Sequence, residues 1–435
     1  MRFGAMMVVL CTLTAITSLA DEPASNRSAA SPDKQTVVMI LVDGARWDLP
    51  DTDAMPNLNS LIKGGVRAEM IPVGPTISSP NHWAIATGLY PIHSRVYDNS
   101  MYDAASGRLF VPQGSDRAGE PGEGWDLWMR GEPIWAAVAR LGGISGVIAN
   151  WVGAQPQNSA RRPSFFIPYL QDDYDSCEHC GHLLVDLVDL LDQDSSKRPR
   201  LLCLWVSQID RYEHESGVGS PQAKRASARV DQIVGDLMSG LATRRLLDRV
   251  NVIIVSDHGQ ITVSDERRHF FLDDFIDLAD LIVTPPSGRM PLVELWPKPG
   301  HEEKVYSRLR AKGPHLRVYR AGEFPVDWHC CDREHGPPMM VVADPGWTVG
   351  IHGSSGTNDL GYHGYDNAAR EMHSLFVAAG PAFRHGVFLQ PFDNVDVHSL
   401  AAYLLDVDST NTDGLLAPLC AALKDGPAGC KDRKH

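Results

Sequence analysis

The sequence predicts an α/β fold, with a mostly parallel central sheet, helices on both faces and a small inserted α+β subdomain. Residues 37–42, 201–206 and 252–255 are short unbroken apolar runs bounded by polar or glycine-rich segments, as strands buried on both faces are. Stretches with helical apolar spacing alternate with them, which sets helices on the two faces of the sheet. Asp or His follows each run: Asp43 after the first, Asp210 and His214 after the second, Asp257 and His258 after the third. Open α/β sheets bind ligands outside the carboxyl ends of their strands. Three strands therefore deliver carboxylates and imidazoles to one edge, the way a two-metal site is assembled.

In chain order, residues 1–20 read as a secretory signal peptide. Arg2 gives the positive start, residues 6–15 are mostly apolar, and Ser18-Leu19-Ala20 is a small-x-small cleavage site before Asp21. The alternative, an N-terminal anchor, is disfavoured because the run falls short of the roughly 20 apolar residues that span a bilayer. No later run could span one. The expectation is a secreted or periplasmic protein, cleaved near Ala20, without stable membrane insertion. Residues 21–35, rich in Ser, Ala, Pro and Asp, form a flexible lead-in, and residues 36–435 form the catalytic domain. Leu58, Leu61 and Ile62 follow Pro56, a good first-turn residue. Ile134, Trp135, Val138 and Leu141 follow Pro133 and stop before Gly142-Gly143. Val230, Ile233, Val234, Leu237 and Leu241 carry amphipathic helical spacing. Residues 374–379 are a further buried strand. Residues from about 265 to 350 break the rhythm with many prolines, an alternating stretch at 291–296 and a Cys330-Cys331 pair; they are read as the inserted subdomain.

At 435 residues, with 43% hydrophobic and 22% charged residues, the chain is globular and too long for one simple core, which suggests a large domain with an insertion, or two domains. The net charge is -14 with no basic stripe, which argues against a nucleic-acid polymer as partner. A small anionic substrate stays open, because metal ions invert the local field. Export implies an oxidising compartment. Cys203 lies inside a strand and reads as a buried free thiol. Cys420 and Cys430 flank a loop containing Gly426, Pro427 and Gly429 and read as a disulfide. Cys177-x-x-Cys180 has no second CxxC to complete a zinc knuckle, so a local disulfide, or a pairing with Cys330 or Cys331, is the better reading.

Asp and His are suitable ligands for catalytic zinc. Asp210-x-x-x-His214 spans one helical turn or a tight loop, so both side chains can face one ion. Asp257 and His258 suit a sharp strand-end turn. His363, within Gly361-Tyr362-His363-Gly364-Tyr365-Asp366-Asn367, has glycines that permit close backbone approach. Singly, each of these is more often a cap, a turn or a packing residue; the joint pattern carries the argument. The candidate nucleophile is Ser78 in Pro75-Thr76-Ile77-Ser78-Ser79-Pro80-Asn81-His82. A serine just before a Pro-started helix has the positive helix end beside it. Zinc bound to its oxygen would lower the hydroxyl pKa, as it does for water. Read alone, a serine at this place is more commonly a helix N-cap.

These pieces, taken together, resemble the nucleotide pyrophosphatase/phosphodiesterase family of the alkaline phosphatase superfamily. The matching stretches are Val42-Asp43-Gly44 with Arg46-Trp47-Asp48, Met55-Pro56-Asn57-Leu58, the Pro75-to-His82 motif, Thr87-Gly88-Leu89-Tyr90-Pro91 and Asp98-Asn99-Ser100-Met101-Tyr102-Asp103. Gly131-Glu132-Pro133-Ile134-Trp135, Asp210 with His214, Ser256-Asp257-His258-Gly259 and Gly361 to Asn367 follow. The resemblance spans nearly the whole mature chain and is weakest across 265–350. It implies an alkaline phosphatase-like fold and a phosphodiesterase with two Zn2+ ions acting on a small-molecule phosphodiester or pyrophosphate. Carried over by motif, Asp210, His214 and His363 hold one zinc. Asp43, Asp257 and His258 hold the other together with the oxygen of Ser78, the nucleophile that becomes phosphoseryl. Asn99 donates to a non-bridging phosphoryl oxygen alongside the Ser79 backbone N–H.

Two departures bear on specificity. The family usually carries Thr where this chain has Ser78, and often an aromatic that stacks on a nucleobase where it has Ser79. Trp83, Trp151, Phe166, Tyr169 or Tyr174 are the rings that could compensate, with Tyr174 assigned to substrate binding. A phosphomonoesterase or phosphonate hydrolase of the same superfamily is the competing reading. The segment 149–153 lacks the Lys-x-Arg pair of one monoesterase group, and Arg161-Arg162 lie downstream. Ser78-x-Pro80 begins like a sulfatase motif, but His82 stands where that motif needs Arg. A secreted binding protein with a vestigial site is the reading from another class; a complete set of ligands plus a hydroxyl argues against it.

Overall fold

The computed structural model describes residues 35–110, 128–149, 151–154, 159–168, 188–194, 196–265, 268–283, 285, 289–331, 333–353, 359–408, 411–427 and 430. Nine strands form the central sheet: β1 (Thr36–Val42), β2 (Val66–Ile71), β3 (Ile144–Ile148), β4 (Phe165–Ile167), β5 (Pro199–Val206), β6 (Val250–Val255), β7 (Ser374–Ala379), β8 (Val387–Phe388) and β9 (Phe392–Asp393). Their order is β8-β2-β7-β6-β1-β5-β3-β4, with β9 also paired to β2. β6, β1, β5, β3 and β4 run parallel. β7 runs antiparallel to both β6 and β2, so β2 points the same way as β1. The apolar run at 374–379 is thus the one reversed strand among parallel neighbours. Every residue from Val37 to Val42 is at most 1% exposed, because helices cover both faces. Each such aliphatic side chain contributes about 1.5–3 kcal/mol by leaving water.

The expected helices form. Pro56–Lys63 buries Leu58, Leu61 and Ile62. Pro221–Thr243 buries Val230, Ile233, Val234, Leu237 and Leu241, and is capped by the Ser220 side chain accepting from the Ala223 N–H. Ile134–Arg140 buries Ile134, Trp135 and Val138, but Leu141 lies at its C-cap and is exposed; the helix ends one residue before the apolar pattern does. The helix expected from Pro80 starts at Ser78 instead and runs to Thr87, with all ten residues buried. Pro80 is tolerated there because first-turn N–H groups have no intrahelical partner to lose.

Within 269–350, Leu292–Leu295, Met339–Ala343 and Leu316–Arg320 form a three-stranded antiparallel sheet beside the helix Glu302–Arg310. His269–Phe271 pairs with Thr348–Gly350. Val293 and Leu295 pack in a hydrophobic cluster of this region's own, whereas Leu292 joins the main core, the two-faced alternation expected of a strand. Residues 35–435 form one compact unit.

Disulfides join Cys420 to Cys430 and Cys330 to Cys331, and Cys203 is a buried free thiol. The alternative of pairing Cys330 or Cys331 with Cys177 or Cys180 is not adopted, since the two neighbours bond each other; Cys177 and Cys180 lie outside the described residues. Among the described residues no helix is long and apolar enough to cross a membrane.

Candidate active site

β6, β1 and β5 are adjacent and parallel, so their carboxyl ends open on one edge. Asp43 follows β1 directly, and its backbone N–H bonds the Val206 carbonyl at the end of β5 (2.9 Å). Gly44 has φ +74, and a Cβ there would lie 2.8 Å from Asp210 Cα. Glycine thus lets the end of β1 touch the segment after β5, where Asp210 N–H bonds the Asp43 carbonyl (3.2 Å). Asp210 and His214 lie on the helix Gln208–Ser216, and Asp257 and His258 on the turn after β6. His363 follows Gly361–Tyr362, a short strand paired with Ile261–Thr262 beyond that same turn.

Two clusters result. Asp210, His214 and His363 bring one ligand atom each within 4.8 Å of one another, partly buried, and Asp43, Asp257 and His258 do the same, fully buried. The imidazoles have their other nitrogens committed. Nδ1–H of His214 donates to the Gly361 carbonyl (2.8 Å), that of His363 to the Thr76 carbonyl (3.0 Å) and that of His258 to the Gly259 carbonyl (3.2 Å). A carbonyl can only accept, so each Nδ1 carries a proton and Nε2 is the nitrogen left to meet a cation, the orientation of a metal-ligating histidine. The His258 and His363 rings stack with centroids 3.6 Å apart.

The carboxylates are held on one side and free on the other. Asp257 Oδ1 accepts from the N–H groups of Gly44 (3.1 Å) and His258 (3.0 Å), leaving Oδ2 buried without a hydrogen-bond partner. Asp43 Oδ2 accepts from Trp205 Nε1 (2.8 Å), leaving Oδ1 in the same condition. Asp210 is held by the Gln260 amide. Burial, then Asp257 and Asp210, push the Asp43 carboxyl up to about 7. Burial lowers His258 and His214, but the carboxylates outweigh it and push both up to about 9. The clustered acids therefore create a strong local demand for positive charge. Orphaned carboxylate oxygens, imidazole Nε2 atoms turned toward the acids and this field together fit divalent cations.

Ser78 is the first residue of its helix, not the cap; Ile77 occupies the cap. It is 7% exposed, and its Oγ lies 3.1 Å from His258 Nε2. Asn99 is exposed on the facing loop, and its Oδ1 accepts the Ser79 N–H (2.9 Å). That N–H thus orients the Asn99 amide, where joint donation to a phosphoryl oxygen was expected. The Ser79 side chain is buried. Trp83 and Trp151 are core residues whose indole N–H groups bond the carbonyls of Arg130 and His82; Phe166 packs on the core. Tyr169 and Tyr174 lie outside the described residues. The Arg161 guanidinium bonds the Met129 carbonyl.

Three contributors escaped sequence reading. Trp205 was legible only as a strand residue, and Gln260 only as the residue after Asp-His-Gly. His82 is buried with Nε2 3.2 Å from Asp257 Oδ2 and 3.4 Å from Asp43 Oδ2; its signal was its position four residues after Ser78 on one helix.

Residues 37–366 match the family described as type I phosphodiesterase / nucleotide pyrophosphatase. The chain is 30% identical to an uncharacterized pyrophosphatase/phosphodiesterase of Schizosaccharomyces pombe, over 88% of this chain and 79% of that one. It is 30% identical to the bis(5'-adenosyl)-triphosphatase of Bos taurus, over 89% and 82%. The structure of murine ectonucleotide pyrophosphatase/phosphodiesterase 5, an inactive variant in complex with AMP, superimposes with a TM-score of 0.79 at 28% identity, covering 89% of this chain and all of that one. The chain belongs to the type I phosphodiesterase / nucleotide pyrophosphatase family, with an alkaline phosphatase-like fold, and is a metal-dependent hydrolase of phosphodiester bonds.

Proposed function

We propose that this protein is an exported phosphodiesterase that holds two zinc ions and cleaves small-molecule phosphodiesters or pyrophosphates through a phosphoseryl intermediate on Ser78. The observation that carries the reading is the set of three imidazoles whose Nδ1–H groups are spent on backbone carbonyls while their Nε2 atoms converge with carboxylate oxygens. Asp210, His214 and His363 would hold one ion, and Asp43, Asp257 and His258 the other, with Ser78 Oγ beside it. When bound, the ions supply charge stabilisation to the attacking and leaving oxygens.

Ser78 Oγ forms a bond to phosphorus as the bond from phosphorus to the first alcohol's oxygen breaks, and the hydroxyl proton of Ser78 is balanced by the proton that this departing oxygen takes up. A water oxygen then bonds phosphorus, the P–Oγ bond breaks, and the proton the water gives up restores the Ser78 hydroxyl. Asn99, turned by the Ser79 N–H, presents its NH₂ as a neutral donor to a non-bridging oxygen. Residues 265–350 are the insertion on this catalytic domain. Cleavage near Ala20 would release the chain to an oxidising compartment, in keeping with the two cystines among the described residues.

Hydrolysis of a diester and a monoester of the same chromogenic alcohol tests the reading. The diester is the better substrate, because a monoester's extra charge calls for an added cation and Asn99 is neutral. A monoester preference would reassign the enzyme to the phosphomonoesterases. AMP in the murine relative makes a nucleotide ester the natural third substrate. Ser79 offers no ring to a base, and stacking is worth about 1–3 kcal/mol, so its lack costs roughly 5–150-fold in discrimination. A thousandfold nucleotide preference would instead point to another ring, such as Tyr174, as the base clamp.

A further inference from the structure

We propose that His82 is a positioning residue that spaces the Asp43 and Asp257 carboxylates and so sets the metal affinity of their centre; the inference rests on the two-zinc reading above. Ser78 and His82 are four residues apart on the helix Ser78–Thr87 and share one of its faces. The first turn sets the hydroxyl beside His258 and the second sets the imidazole between the two acids. His82 is 0% exposed. Its ring lies edge-on to Trp151 (6.2 Å between centroids) and to Trp205 (5.7 Å).

The tautomer follows from one contact. The Val152 N–H donates to His82 Nδ1 (3.5 Å). Nδ1 therefore accepts, and the ring proton sits on Nε2, the opposite arrangement to His214, His258 and His363. A lone pair at Nε2 would add a ligand; a proton there adds a donor. That donor faces Asp257 Oδ2 at 3.2 Å and Asp43 Oδ2 at 3.4 Å, yet is aligned with neither. It sits between two carboxylates that repel each other when ionised. With Trp205 Nε1 also on Asp43 Oδ2, the Asp43 Oδ1 atom is left for the ion. Outer-shell partners of this kind typically carry about 10–100-fold in metal affinity.

Zinc titration of the full chain against a competing chromophoric chelator, with metal content read independently, tests the assignment. Wild type takes up two equivalents. His82→Gln weakens one of the two steps by roughly 10–100-fold, and His363→Ala weakens the other. Two unchanged steps in His82→Gln overturn the proposal and leave the two-zinc reading standing. A wild type that binds no zinc overturns both. Where His82→Gln fails to fold, long-range ¹H–¹⁵N correlation on zinc-loaded, histidine-labelled wild type decides: a protonated Nε2 on His82 supports the assignment, and a metal-bound or unprotonated Nε2 refutes it.

Discussion

Ser78→Ala lowers turnover by at least about 10⁴-fold, the scale of losing a covalent nucleophile. No neighbouring hydroxyl can take over. Thr76 is buried with its Oγ1 on the Tyr365 carbonyl, and the Ser79 side chain is buried. Ser256 lies beside Asp257 but is buried with its hydroxyl on the His258 carbonyl, whereas Ser78 Oγ lies 3.1 Å from His258 Nε2. Ser78→Thr keeps measurable activity, since the family usually has Thr at this position and the added methyl changes the space beside phosphorus rather than the chemistry. Asn99→Ala costs about 10²–10³-fold, the range for one lost oxyanion donor. Steady-state kinetics on the three variants, with far-UV circular dichroism to verify folding, check the ranking. Equally mild effects of Ser78→Ala and Asn99→Ala would remove Ser78 from the nucleophile role.

Stripping the protein with a chelator abolishes activity, and among divalent ions zinc restores it best. The reason is electrostatic. Burial together with Asp257 and Asp210 pushes the Asp43 carboxyl up to about 7, so without a cation the cluster must bind protons or repel itself. The same argument predicts a stability readout: an ion present at a hundred times its dissociation constant adds about 2.7 kcal/mol to the folded state, and thermal melting rises with zinc. Full activity in protein shown to be free of metal would end the two-metal account.

The parallel strands that hold the site were legible because they are buried on both faces, and such strands read as unbroken apolar runs. β2 was not singled out, since Arg67 and Glu69 interrupt its run; Arg67 reaches Asp51 and the Trp47 carbonyl, and Glu69 pairs with Arg370 and His373. The reversal of β7 was illegible for a different reason: an apolar run has no direction, and only its partners Val66–Met70 and Val252–Val255 set one. Asp and His at strand ends announced the candidate ligands. His82 did not announce itself, because a histidine inside a wholly buried helix looks like packing until the chain folds two carboxylates onto it. The bond between Cys330 and Cys331 was hidden because spacing suggests partners at a distance, not a neighbour.

The most direct test of the central claim is the stereochemical course at phosphorus. Attack by Ser78 followed by attack of water makes two in-line displacements, each inverting the centre. Hydrolysis of a phosphorothioate diester of known configuration in ¹⁸O-enriched water, with the configuration of the product monoester determined, should show net retention. Net inversion would mean that water displaces the leaving alcohol in one step, and would contradict a phosphoseryl intermediate on Ser78.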